Sequence, residues 1–68
     1  IDMYGKRLQE LRTAKGLSQA DLAKQLNISQ RAVSHYENEE HDLNTDLIIA
    51  ICKFFDVSAD YLLGLKDY

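Results

Sequence analysis

Ser18, Ser29, Asn44 (or its neighbour Thr45) and Ser58 each stand just ahead of a stretch whose apolar residues recur at helical spacing. A side-chain oxygen at such a position accepts a hydrogen bond from a backbone N–H that the first turn of a helix leaves unpaired. These residues therefore mark where helices open. Ser18 and Asp21 have the serine-x-x-acid spacing of a capping box. Asp46 falls in the first turn of its helix, where a negative charge suits the helix dipole. Gly16 and Asn27 suit the left-handed backbone that closes a helix. The chain has no proline, and no stretch alternates apolar and polar residues long enough to suggest a strand. The spacing predicts an all-α fold of five short helices, over about 4–15, 18–26, 29–38, 44–56 and 58–64. No repeat, low-complexity tract or linker interrupts them, so a single domain over residues 1–68 is predicted.

Sixty-eight residues lie near the lower limit for one core to hold a fold without covalent staples. The single cysteine, Cys52, excludes a disulfide framework within the chain and suits a reducing, cytoplasmic setting. No apolar run approaches the roughly 18 residues that span a bilayer. The opening "IDMYGKRLQEL" lacks the pattern of a signal peptide. The net charge of −3 is unevenly spread. Residues 1–38 carry six basic residues against four acids, and residues 39–68 two against seven. A mildly basic front is joined to an acidic back.

The stretch from Gln19 to Tyr36 is more specific. Leu22 and Leu26 share one face of the second helix, Ile28 plugs the turn, and Val33 and Tyr36 share one face of the third. A connection this short forces a steep crossing, and the small Ala23 lets the two backbones approach. This is the helix-turn-helix pattern, over about 18–38. At 100° per residue, Gln30, Arg31, Ser34, His35 and Asn38 occupy the outer side of the third helix, across roughly 140°. The stripe contains no carboxylate. Glutamine suits an adenine edge, arginine a guanine edge, and serine or histidine several bases. Arg31 sits in the first helical turn, where a cation is locally unfavourable. A broken local rule without structural gain marks function.

The segments "GLSQADLA", "ISQRAVSHYE" and "FFDVSADYLLG" together resemble the phage-repressor-like regulators: lambda repressor, Cro and the bacterial XRE-type proteins. The resemblance covers about residues 4–64. It implies a compact five-helix DNA-binding domain, bacterial or phage-encoded, that dimerises on a palindromic operator and acts on transcription as a repressor. It implies base contacts from Gln30, Arg31 and His35, with Ser34 beside them. Gln19 falls where the family clamps a phosphate and braces the start of the recognition helix, and Asn38 at another backbone-contact position. Lys6, Arg7, Lys15 and Lys24 are candidates for further phosphate contacts. Arg12 and Glu37 match a pair that forms a buried salt bridge in several relatives. Where relatives carry glycine and then basic residues, this chain has Glu39, Glu40, His41 and Asp42. The three acids are expected to trim non-specific attraction to the DNA backbone.

Other chemistry finds little support. Two histidines and one cysteine are too few and too scattered for a metal site. Ser34, His35 and Glu37 radiate from one helix and cannot converge as a catalytic set. No cofactor, small-molecule site or enzyme activity is predicted. In the fourth helix Ile48, Ile51, Cys52 and Phe55 follow core spacing, leaving Leu47 and Phe54 on a flank. With Leu43, Leu65 and Tyr68 these two are expected to form a dimer interface, which would set two recognition helices roughly 34 Å apart. The rival from another class is a helix-turn-helix used to bind protein, as in an antitoxin or anti-repressor.

Overall fold

The computed structural model describes residues 3–67. Five helices follow in order: α1 (Tyr4–Ala14), α2 (Gln19–Leu26), α3 (Gln30–Glu37), α4 (Thr45–Phe55) and α5 (Ala59–Leu62). Each of the last four opens on the residue that cap chemistry selects. Ser18 Oγ accepts from Asp21 N, Ser29 Oγ from Ala32 N, Asn44 Oδ1 from Leu47 N and Ser58 Oγ from Tyr61 N, at 2.8–3.0 Å. Ser18 N in turn donates to Asp21 Oδ2 at 3.0 Å, completing the capping box. Asn44 rather than Thr45 is the cap of α4.

The helix ends share one device, a residue in the left-handed conformation, which Asn27 supplies after α2 and Asp56 after α4. After α1, Gly16 takes a positive φ while its N–H donates to the Thr13 carbonyl and that of Leu17 to Arg12. After α5, Gly64 takes a positive φ, and the N–H groups of Gly64 and Leu65 donate to Tyr61 and Asp60. Both are Schellman closures, for which glycine is the usual residue because it has no Cβ to clash. After α3 the same closure is made by Glu39, at φ 59°, with its N–H on Tyr36 and that of Glu40 on His35. A glutamate holds a glycine's place.

The buried core is Leu8, Leu22, Ala23, Val33, Leu47, Ile51, Phe55 and Leu62. Ala23, 4% exposed, stands where α2 and α3 come together. The expected face of α4 is rotated. Leu47, Ile51 and Phe55 are buried, whereas Ile48 and Cys52 are only half-buried. Apolar residues surround so much of this helix that periodicity alone leaves its facing open; its packing on α2 and α5 decides. Leu47, predicted for a dimer interface, is 7% exposed and belongs to the core, so it offers a partner almost no surface. Burial pushes the Cys52 thiol up, away from reactivity.

Gly5 is where α1 meets the end of α3. A Cβ there would collide with the Glu37 carbonyl oxygen and lie 2.7 Å from Glu39 Cγ. Alanine favours a helix over glycine by about 1 kcal/mol, yet overpacking a close contact costs about 1–3 kcal/mol. Gly5→Ala is therefore expected to lower the unfolding free energy in a denaturant titration, despite alanine's better propensity. The Asp21 carboxyl is held below its ordinary value first by the Ser18 backbone N–H and then by the Ser18 hydroxyl. A carboxyl lowered on folding stabilises above its unfolded-state value and loses that contribution as pH falls through the folded one. The stability gap between wild type and Asp21→Asn, measured by thermal melts, is expected to close as pH drops below 3.8.

Candidate nucleic-acid interface

The third helix is held by its inner side. Glu37, in its last turn, accepts from Arg12 Nε at 2.6 Å, Arg12 Nη2 at 3.2 Å and Gln19 Nε2 at 3.1 Å. The Arg12 and Glu37 side chains are 12% and 4% exposed. Arg12 Nη1 also donates to the Leu17 carbonyl at 2.8 Å. One buried ion pair thus ties α1, the α1–α2 turn, the start of α2 and the end of α3 together. With Val33 fully buried on the same helix, the orientation of α3 about its axis is set.

The outer side then presents Gln30, Arg31 and Asn38 exposed, and Ser34 and His35 half-buried. Asn38 Nδ2 lies 3.5 Å from Ser34 Oγ, a weak link along the stripe. Gln30 also lines an open hollow with Ala20, Ala23, Lys24, Asn27 and Ile28. These groups supply donors and acceptors on one convex helix face, with the carboxylate of Glu37 turned away from it.

The helix-turn-helix family pattern matches residues 8–62, more than three-quarters of the chain. The chain belongs to the helix-turn-helix family. The regulator ImmR of Bacillus subtilis strain 168 is 43% identical over 63 residues, which are 93% of this chain and 49% of that protein. The transcriptional activator BcrR of Enterococcus faecalis is 42% identical over 64 residues, 94% of this chain and 31% of that protein. This helix-turn-helix chain therefore spans half or less of the length of these two relatives. Among solved structures, the P22 c2 repressor in complex with a synthetic operator is 30% identical with a TM-score of 0.89, covering 97% of this chain and all of the other. The fold is the five-helix, lambda-repressor-like one, and the family is one of non-enzymatic, DNA-binding transcription regulators.

Several predicted contacts of this helix-turn-helix domain sit elsewhere than expected. Arg7 is 7% exposed. Its Nη1 donates to the Lys66 carbonyl at 3.2 Å, its Nη2 is 3.6 Å from Asp67 Oδ1, and its guanidinium lies 4.3 Å from the Tyr61 ring centre. It clamps the segment after α5 onto α1 and is not available to a phosphate. Gln19 braces Glu37, at the end of α3 rather than its beginning, and keeps its carbonyl and one N–H. Lys15 Nζ lies 5.2 Å from the Phe54 ring centre, so a predicted phosphate contact meets a predicted interface residue. Lys6 and Lys24 are exposed. Leu43 and Phe54 are half-buried against the core, Leu65 is 73% exposed, and Tyr68 lies outside the described residues.

The loop after α3 also makes contacts with α1. Glu39 Oε2 accepts from Gly5 N at 3.1 Å. The first turn of α1 has no acidic residue, and its N-cap, Met3, makes no side-chain cap bond, so Glu39 supplies both from the turn after α3. Tyr4 Oη donates to the His41 carbonyl at 2.7 Å, fastening the loop a second time. Burial, then the charges of Asp42 and Glu39, raise the Tyr4 hydroxyl. Glu39 thus closes one helix with its backbone and caps another with its side chain. The residue order carries no periodic signal for this; the clue is an acid where the family resemblance leads one to expect glycine.

Among the described residues no helix is long and apolar enough to cross a membrane, and no cluster of histidine, cysteine and acids is placed to hold a metal. Removing Glu37 leaves the Arg12 guanidinium buried without its carboxylate. Breaking such a pair costs about 3–5 kcal/mol, so Glu37→Gln, which keeps the shape and a hydrogen bond, is expected to fall at or below that range. Replacing both partners by methionine is expected to recover much of the loss. Urea titrations of the wild type and the two variants check both statements.

Proposed function

We propose that this chain is the DNA-reading part of a transcriptional repressor that acts as a homodimer on a palindromic operator. Helix α3 enters the major groove of double-stranded DNA. Gln30, Arg31, Ser34 and His35 meet base edges, while Gln19, Asn38, Lys6, Lys15 and Lys24 meet phosphates. The observation that carries this reading is the carboxylate-free outer face of α3, set outward by a helix whose own acid is drawn inward to Arg12. The likeness to the P22 c2 repressor bound to its synthetic operator supports it. That repressor also supports the choice of repression, since BcrR, similar to a lesser share of its length, is an activator. Dimerisation would use Leu43, Phe54 and Leu65, of which Leu65 is the most exposed large apolar residue.

Arginine makes a bidentate contact with a guanine edge, worth about 1–3 kcal/mol of discrimination. Arg31→Ala is therefore expected to weaken binding by that amount and to relax specificity at one base in each half-site. Selection of bound duplexes from a random pool, at low salt, checks it. An enriched palindrome with half-sites one turn apart is the expected result for the wild type. An unchanged base preference in the mutant removes Arg31 from the readout. No enrichment at all favours a protein-binding use of the fold. Affinity is expected to fall only modestly with salt, because few cations remain to displace counterions.

A further inference from the structure

One of the two nitrogens of the His35 imidazole is buried. Nδ1 is shut off from water and has no hydrogen-bond partner. The group nearest to pairing with it is Glu40 Oε2, at 3.5 Å. The placement follows from the backbone. Glu39 closes α3 in the left-handed conformation, and the Glu40 N–H donates to the His35 carbonyl at 2.8 Å. That bond folds Glu40 back over the last turn, beside the ring. His41 packs edge-on against the same ring, centroids 4.8 Å apart, so the imidazole is confined on a further side.

A buried ring nitrogen next to a carboxylate is stable only with its hydrogen on. The neutral ring then carries its proton on Nδ1, facing Glu40, and leaves Nε2 as an acceptor. The protonated ring keeps Nδ1–H and makes Nε2 a donor. An acceptor suits the amino group of cytosine or adenine, and a donor suits the O6 or N7 of guanine or the O4 of thymine. Resting on the reading of α3 as the recognition helix, we infer that Glu40 is a specificity-determining residue: by fixing the proton on His35 Nδ1, it makes the base preferred by Nε2 depend on pH. With the neutral ring the preferred base is cytosine or adenine; with the protonated ring, guanine or thymine.

Other charges around the ring set the background. On α3 itself Arg31 lies one turn earlier, a constant cation. His41 packs across the ring as a second imidazole. From the helices packed on α3, Arg12 of α1 is neutralised by Glu37, and Gln19 of α2 is uncharged. The Glu39 carboxylate is turned to Gly5 N, and the Tyr4 hydroxyl to the His41 carbonyl. Glu40 is thus the acid that faces the imidazole.

Two measurements test the inference, on the whole chain. Nitrogen-15 NMR of the imidazole, without DNA, reads the tautomer directly, and the Nδ1–H form is expected in the neutral ring. The Nε2–H form would overturn the inference while leaving DNA binding untouched. Duplex selection at about pH 5.5 and about pH 8.5 reads the preference. A change of about tenfold in the ratio of the two base pairs of bases is expected at one position of each half-site. Glu40→Gln replaces the carboxylate by an amide that can donate as well as accept, so it no longer fixes the proton on Nδ1 and is expected to weaken the switch. His35→Gln is expected to abolish the switch, keeping one preference at both pH values. A wild-type preference that ignores pH, or a switch that Glu40→Gln leaves in place, would refute the role of Glu40. An absence of any enriched site would remove the recognition-helix reading and this inference with it, whatever the tautomer.

Discussion

Glu37 gathers three side-chain hydrogen bonds, two from Arg12 and one from Gln19, in a place where water scarcely reaches. A small all-helical domain has few contacts with which to fix one helix against the others. Apolar packing around Val33 and Leu22 is non-directional, and it tolerates rotation of α3 by part of a turn. A bidentate ion pair does not, because both oxygens must meet a planar guanidinium. Replacing such a pair by apolar residues often costs little stability. Its effect here is therefore better sought in orientation: whichever way Glu37 points inward, the Gln30–Arg31–Ser34–His35 stripe must point outward.

The acids that follow α3 fit this economy of parts. An N-terminal helix without its own cap and a C-terminal helix end without glycine are both weak points. Glu39 meets both at once. Its positive φ costs on the order of 1 kcal/mol for a residue with a Cβ, and the bond from its carboxylate to Gly5 N returns a similar amount as a cap. Gly5 must in turn be glycine, since the Glu37 carbonyl occupies the space of a Cβ. Two departures from local rules, a glycine inside a helix and a glutamate in a glycine's place, thus explain each other. Neither makes sense alone.

Helix openings were legible because a cap is a local affair: Ser18, Ser29, Asn44 and Ser58 each bond to a backbone group three residues on. The stripe on α3 was legible because eight helical residues with one buried valine have a single sensible facing. The facing of α4 was not, since apolar residues on several of its sides fit a core equally well, and Leu47 moved from flank to core. Arg7 was misassigned for a related reason. A cation near the start of the chain looks free until the last turn of the fold returns over it, and its partners Tyr61, Lys66 and Asp67 lie more than fifty residues away. Side chain-to-backbone contacts between distant segments leave no period in the sequence, so Glu39 and Arg7 become readable only when the helices are assembled.

Withdrawing Arg7 from the surface changes the balance of the proposed DNA contact. Attraction to phosphates grows with the number of cations that reach them, and it is blind to sequence. With Arg7 and Arg12 both engaged inside, that number falls to a few lysines and Arg31 in a chain of net charge −3. Phosphate attraction then weakens specific and random DNA alike, whereas base contacts act on the specific site only. The proposed domain would hold DNA less tightly than a basic one, yet a larger share of that hold would come from the four side chains on α3. Two recognition helices on one operator would add the second share of affinity that a single, weakly charged surface lacks. The acidic character of the chain and the case for a dimer are, on this reading, the same argument.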